Sequence, residues 1–264
     1  MPLNLGPRDA EVWYAWTAAC AEPSLQAAYD AVLEPHERAA CARFATAALR
    51  AEYRLTRALC RTTLSRYADV APADWRFRHN AQGRPEIAAP AGALPLRFNL
   101  SHGRGLVACV VTRTADAGVD VERIVVPAPL DLVAAYFSTD EQRALQALPA
   151  AQHDARFYWL WTLKEAYIKA LGLGLQLPLD SFSIRDGQRI TVASTAGAIA
   201  DDEKWQLFST LLGQEHRLSL ALRREQGGEF DIRLREVVPR ADCCASRVGE
   251  PDPGAGSGRS RTTS

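Results

Sequence analysis

Residues Phe157 to Gly174, FYWLWTLKEAYIKALGLG, place four large aromatic side chains in the first five positions. A helix this aromatic must be packed over most of its surface, and that constrains the fold more than any other stretch. Gly172 closes it, a usual residue just past a helix end. One stripe, Trp161, Glu165 and Lys169, each four residues on from the last, shares a face. A Glu and Lys at this spacing commonly decorate open surface. On a helix packed elsewhere by rings they line a cleft instead, because buried charge requires a partner or a metal. Lys164 and Glu165 are neighbours that point in different directions.

Around this helix, from His153 to Leu171, the chain alternates strands and helices. EVWYAW reads as a short aromatic strand, followed by helix from Ser24 to Ala68 interrupted near Pro35. Turn residues dominate Asp74 to Pro95. PLRFNL, GLVACVV and AGVDVERI are strands, the last two joined by TRTAD as a hairpin loop. A further helix is expected over Leu130 to Ala147. FSIRDGQRITV carries Asp186-Gly187 between two strand-like runs, a strong hairpin signal. KWQLFSTLL and EHRLSLALRR close the set of strands. The expected class is α+β in two halves, 1–114 and 115–240, with no sequence repeat between them. The segment 241–264, rich in Gly, Ser, Pro and Arg, has almost nothing to bury and reads as a disordered tail.

With 264 residues, 47% of them hydrophobic, the chain can build a sizeable core. Lys plus Arg and Asp plus Glu are equal at 31 each, so bulk charge gives no general attraction to nucleic acid or membrane. No apolar run is long enough to span a bilayer, and the first residues lack the pattern of a signal peptide. Six scattered cysteines without a C-x-x-C pair indicate neither a disulfide framework nor a zinc site. These features point to a cytoplasmic protein.

Four local signals carry chemistry. In AGVDVERI, Asp120 and Glu122 stand two positions apart and leave the same face of a strand. That is either a wet strand face or a hard-cation site, since Mg²⁺ takes carboxylate oxygens beside waters and substrate phosphates. Spacing alone does not choose. In FNLSHGRG, Ser101 and His102 end a strand next to a flexible glycine, as a loop cap or as donors to phosphate. A serine hydrolase is disfavoured because G-x-S-x-G is absent. On the first long helix Arg50, Arg54, Arg57 and Arg61 fall within about a 60° arc. Glu52 is the only acid between Arg43 and Arg66, which favours phosphate over a merely solvated face. The fourth signal is the Glu165/Lys169 stripe.

Together these motifs resemble the 4′-phosphopantetheinyl transferases of the Sfp type. That family's G-[IV]-D-x-E strand is matched by GVDVE at Gly118 to Glu122, and its W-[ST]-x-K-E-[SA]-x-x-K helix by WTLKEAYIK at Trp161 to Lys169, in the same order and separation. GRP at Gly83 to Pro85 resembles its G-K-P, with Arg84 in place of lysine, and FNLSH its F-N-[IL]-S-H, with Gly103 where Ser or Thr is common. The resemblance covers roughly residues 10 to 225. It implies a pseudo-dimer of two similar α/β halves with the site in the cleft between them, acting as a monomer. The implied reaction is Mg²⁺-dependent transfer of the phosphopantetheine arm of coenzyme A to a serine of an apo acyl or peptidyl carrier protein, releasing 3′,5′-ADP. The implied roles are Asp120, Glu122 and Glu165 on the metal, Glu165 as base, and Lys169 on the diphosphate and leaving group. Ser101 and His102 are expected to bind the phosphates of coenzyme A, with Arg43 or Arg50, and Arg84, around its 3′-phosphate and adenine. A coenzyme A or nucleotide-binding module without turnover is the competing reading, and an intact Glu165 and Lys169 argue against it. A D-x-E metal nuclease would need a broad basic surface, which the neutral charge does not supply.

Overall fold

In the computed structural model, which describes residues 2–90, 95–194, 204–224 and 228–240, the order of elements repeats. The first half runs β1 (Asp9–Trp16), α1 (Pro23–Ala31), α2 (Pro35–Ala42), α3 (Ala47–Ser65), a hairpin of β2 (Arg76–His79) and β3 (Pro85–Ala89), then β4 (Arg97–Gly103) and β5 (Leu106–Thr112). The second runs β6 (Ala117–Arg123), α4 (Val133–Tyr136), α5 (Thr139–Gln146), α6 (His153–Leu171), a hairpin of β7 (Phe182–Arg185) and β8 (Thr191–Ser194), then β9 (Trp205–Leu212) and β10 (His216–Arg223). β1 pairs antiparallel with β5, which pairs with β4, and β6 pairs antiparallel with β10, which pairs with β9. The long helix of each half covers its sheet: α3 packs on β5, β4 and β1, and α6 on β6, β10 and β9. The doubling expected from the resemblance is therefore present in the topology, although the two halves share no visible sequence repeat.

Three apolar clusters correspond to three layers. One lies between α3 and the first sheet, around Trp13, Leu59, Phe98 and Cys109. Another lies between α6 and the second sheet, around Phe157, Tyr167 and Leu207. The third fills the space between the sheets with Val12, Ala108, Val110, Val119, Val121 and Leu220. Strand alternation produces this division. Even-numbered residues of β5 face the other half and odd-numbered ones face α3. On β6, Val119 and Val121 enter the central layer, so Asp120 and Glu122 are turned towards α6.

Several sequence expectations change. TRTAD is not a hairpin loop: both edges of β5 are taken, by β1 and β4, so β6 starts the second sheet instead. Leu130 to Ala147 is not one helix. It breaks before α5, where Ser138 Oγ accepts the Glu141 N–H and the Glu141 carboxylate accepts the Ser138 N–H. The Asp186-Gly187 hairpin forms, with a five-residue connection (186–190) between β7 and β8. A last strand, β11 (Asp231–Glu236), lies in the segment expected with the second half but pairs parallel with β1 of the first. Buried Glu11 holds it there through Arg235 at 3.1 Å, with Tyr67 donating to the same carboxylate at 2.6 Å. The tail 241–264 lies outside the described residues.

Two glycines set the spacing. A Cβ on Gly118 would come within 2.0 Å of the Ala166 carbonyl oxygen and 2.5 Å of the Ala170 nitrogen, so only glycine lets α6 lie this close to β6. A Cβ on Gly103 would come within 2.5 Å of the Val121 carbonyl oxygen, where β4 meets β6. Gly118→Ala is expected to destabilise the protein by about 3 kcal/mol, since neither contact is with a movable side chain. Urea denaturation measures it, and a loss under about 0.5 kcal/mol, the range of an innocuous surface change, would contradict the packing described.

Candidate functional site

The site forms where the edge of β6 not paired with β10 lies against β4. The odd-numbered residues of β4 point at that edge. Asn99 Oδ1 accepts the Val119 N–H at 3.0 Å, and Ser101 Oγ accepts the Val121 N–H at 3.2 Å. Two side chains thus replace the ladder that a neighbouring strand would have supplied. Ser101 also donates to Asp120 Oδ1 at 3.0 Å. Lys169, reaching across from α6, donates to that same oxygen at 2.6 Å and to Ser101 Oγ at 3.0 Å. One residue from each of β4, β6 and α6 meets here.

On α6 the packing follows the sequence expectation. Between Trp161 and Ala170 only Trp161, Glu165 and Lys169 escape full burial. They line a cavity of about 380 Å³ together with Asp120, Glu122 and the end of β4. The rest of the helix is fixed from behind. Lys164, fully buried, donates to both Glu141 carboxylate oxygens at 2.8 and 2.6 Å and to the Phe182 carbonyl. Lys164 therefore anchors the rotation of α6 to α5 and β7, while its neighbour Glu165 faces the cavity.

The electrostatics are unbalanced. Burial, then the Asp120 charge, pushes the Glu122 carboxyl up to about 7, against relief from Lys169 and the Trp161 indole N–H. Glu165 is raised for the same two reasons, burial first. Asp120 Oδ2 is buried and has no hydrogen-bond partner. Three carboxylates thus share one ammonium. Among the described residues, no three His, Cys, Asp or Glu side chains are already gathered around a metal position.

Six of the nine residues singled out from sequence meet in this cavity: Ser101, His102, Asp120, Glu122, Glu165 and Lys169. Ser101 and His102, however, both lie on β4 and point to opposite sides of it, Ser101 to β6 and His102 to α3. Arg43, Arg50 and Arg84 do not line the cavity. Arg84 Nη1 donates to the Ala170 carbonyl at 3.1 Å and pairs with Asp116 at 3.5 Å, tying the β2–β3 hairpin to the end of α6. Arg50 donates to the Phe44 carbonyl at 2.6 Å, and Arg43 is exposed beside Phe44. The arginine stripe is not a free basic face either. Arg54 pairs with Asp30, Arg57 with Glu37, and Arg61, 0% exposed, with Glu34 and Glu37. The neutralising acids come from α1, α2 and Glu34 just before α2, outside the window in which Glu52 stood alone.

Two further cavities adjoin the first. One, of about 350 Å³, shares Leu100 and His102 with it and is lined by Phe44, Leu49, Tyr53 and Arg57, with Gly83 and Pro85 of GRP. The other, of about 460 Å³, shares Glu122 and is lined by Arg104, Arg123, Val125, Pro127 and Tyr158. Sequence reading missed Tyr53 and Tyr158, which look like ordinary core rings, and Glu52, whose one signal was its isolation among arginines.

The family model described as the 4′-phosphopantetheinyl transferase superfamily matches residues 116–221. The 4′-phosphopantetheinyl transferase HetI of Nostoc is 32% identical over 176 residues, 66% of this chain and 74% of HetI. The 4′-phosphopantetheinyl transferase Sfp of Bacillus subtilis is 35% identical over 159 residues, 59% of this chain and 69% of Sfp. The chain belongs to the 4′-phosphopantetheinyl transferase family. Another B. subtilis 4′-phosphopantetheinyl transferase is 38% identical over 128 residues, covering 48% of this chain and 54% of that protein. The part matched by the transferase family model holds Asp120, Glu122, Glu165 and Lys169, whereas Ser101, His102 and Glu52 precede it.

The raised Glu122 carboxyl predicts that the stability of this protein depends on pH. Between its ordinary value of 4.5 and about 7, the folded state keeps a proton that the unfolded chain has released, so stability falls as pH rises through that window. Glu122→Gln removes the effect. In metal-free buffer the variant's melting temperature should gain at least about 2 °C on the wild type between pH 5 and 7.5. An unchanged gap across that range would show that Glu122 is an ordinary exposed carboxylate.

Proposed function

We propose that the protein transfers the 4′-phosphopantetheine arm of coenzyme A to a serine of an apo acyl or peptidyl carrier protein, releasing 3′,5′-ADP. The observation that carries this reading is the convergence of Asp120, Glu122, Glu165 and Lys169 on one cavity, in a chain that belongs to the transferase family. The serine oxygen attacks the β-phosphorus of coenzyme A. Its bond to phosphorus forms as the bond from that phosphorus to the bridging oxygen breaks, and the serine proton passes to Glu165. Without metal the Glu165 carboxyl is raised by burial and then by Asp120, and its place in the cavity is what suits it to take the proton. Lys169, now on Asp120 and Ser101, is the ammonium within reach of the cavity. It neutralises the diphosphate and can donate a proton to the departing oxygen. Fixed donors acting on developing charge supply most of the acceleration in such a reaction.

Mg²⁺ suits this donor set. The orphaned Asp120 Oδ2 and the two under-neutralised carboxylates ask for a hard cation. Asp120, Glu122 and Glu165 would hold it, and bound there it withdraws charge from phosphate oxygens. The cavity with Tyr53 and Phe44 has an aromatic, apolar wall suited to the adenine. Arg57 lies at 4.9 Å over the Tyr53 ring and joins His102 as a candidate phosphate contact. Arg43 and Arg50, which line neither cavity, take no part in this reading, and Arg84 acts through its hold on α6. The same reading makes the protein a cytoplasmic monomer with no nucleic-acid or membrane partner. The internal doubling supports a monomer, since one chain supplies both walls of the cleft. No described helix is long and apolar enough to cross a membrane.

The test incubates the protein with Mg²⁺, coenzyme A and several apo carrier proteins and weighs each carrier by mass spectrometry. A gain of one phosphopantetheine is expected. Coenzyme A binding without any mass gain would support a binding module instead. Glu165→Gln should keep coenzyme A affinity within about threefold while transfer falls at least about 100-fold. Near-normal turnover would remove Glu165 from the role of base. Asp120→Ala should lose activity that excess Mg²⁺ restores poorly.

A further inference from the structure

His102 forms part of the wall shared by the Tyr53 cavity and the carboxylate cavity. Its side chain is 59% exposed, which for an imidazole on a strand end would ordinarily mean free rotation. One contact prevents that. Its Nδ1 lies 2.9 Å from Oε1 of Glu52, a carboxylate on α3 that is only 16% exposed. Glu52 is itself mostly buried, and the Gly105 backbone N–H in the β4–β5 turn adds to the groups that favour its charged form. These contacts hold the Glu52 carboxyl below the usual range, His102 being the main cause. The carboxylate is thus charged at neutral pH, on α3 and close to the β4–β5 turn.

A ring whose Nδ1 donates to a carboxylate has its orientation settled, and any further partner must use Nε2. We propose that Glu52 is a positioning residue for coenzyme A: it holds His102 so that Nε2 meets a substrate phosphate at the junction of the two cavities. The inference rests on the transferase reading above. It also gives the one acid of the arginine-rich helix a purpose, since the described ion pairs of Arg54, Arg57 and Arg61 are with Asp30, Glu34 and Glu37 and not with Glu52. Glu52 acts through His102 and need not touch the reacting atoms.

The experiment measures KM for coenzyme A and kcat for carrier modification in the wild type, Glu52→Ala, His102→Ala and the double variant, with coenzyme A binding measured by calorimetry. Glu52→Ala should raise KM and weaken binding about tenfold, a typical loss for one charge-assisted hydrogen bond, with kcat within about twofold. In the His102→Ala background the same change should add less than twofold. A structural role for Glu52 would instead multiply with the loss of His102. Glu52→Gln, whose amide oxygen can still accept from Nδ1, should recover to within about threefold of the wild type. An unchanged KM in Glu52→Ala, a multiplicative double variant, or no recovery by Gln overturns the assignment. A wild type that binds no coenzyme A would instead count against the transferase reading itself.

Discussion

The unpaired edge of β6 is the constraint on which the rest depends. A strand edge exposes N–H groups that need partners, and here β4 satisfies two of them with the side chains of Asn99 and Ser101 rather than with its backbone. The two halves can therefore meet without fusing into one continuous sheet. That leaves Ser101 free to bond Asp120 as well, and it brings Lys169 of α6 onto the same oxygen. The contact that joins the halves is made of the groups that would hold the substrate.

Much of this arrangement was legible in sequence, because it follows local periodicity. The two-residue repeat of AGVDVERI turns Val119 and Val121 inward and leaves the acids on the other face. The four-residue repeat of Trp161, Glu165 and Lys169 marks the open stripe of an otherwise packed helix. Arg61 shows where such reading fails. Its helix looks basic when counted by itself, yet the guanidinium is buried against Glu34 and Glu37 from an earlier helix, a pairing between residues 24 or more apart that no local pattern encodes. The separation of β5 from β6, the crossing of β11 to the first sheet and the pairing of Glu52 with His102 are likewise products of tertiary packing.

Gly118 belongs to both levels. It stands in a motif beside the acids and could be read as part of the chemistry, but its lack of a Cβ is what allows Ala166 and Ala170 to close on the strand. The equivalent helix of the first half, α3, makes no comparable approach to β1. The two halves repeat one order of elements, and close packing on one side alone forms the carboxylate cavity. The other half contributes the arginine-bearing, ring-lined cavity next door.

The central claim is that coenzyme A lies along this seam, with its diphosphate at the carboxylates and its nucleotide against α3. A crystal structure with coenzyme A and Mn²⁺ in place of Mg²⁺, read from the anomalous signal of manganese, tests it most directly. The account predicts an anomalous peak bonded to Asp120 Oδ2, with Lys169 moved from Asp120 to a phosphate and the adenine beside Tyr53. A nucleotide in the cavity of Arg104 and Tyr158, or a peak away from Asp120 while Lys169 stays on Oδ1, would contradict it.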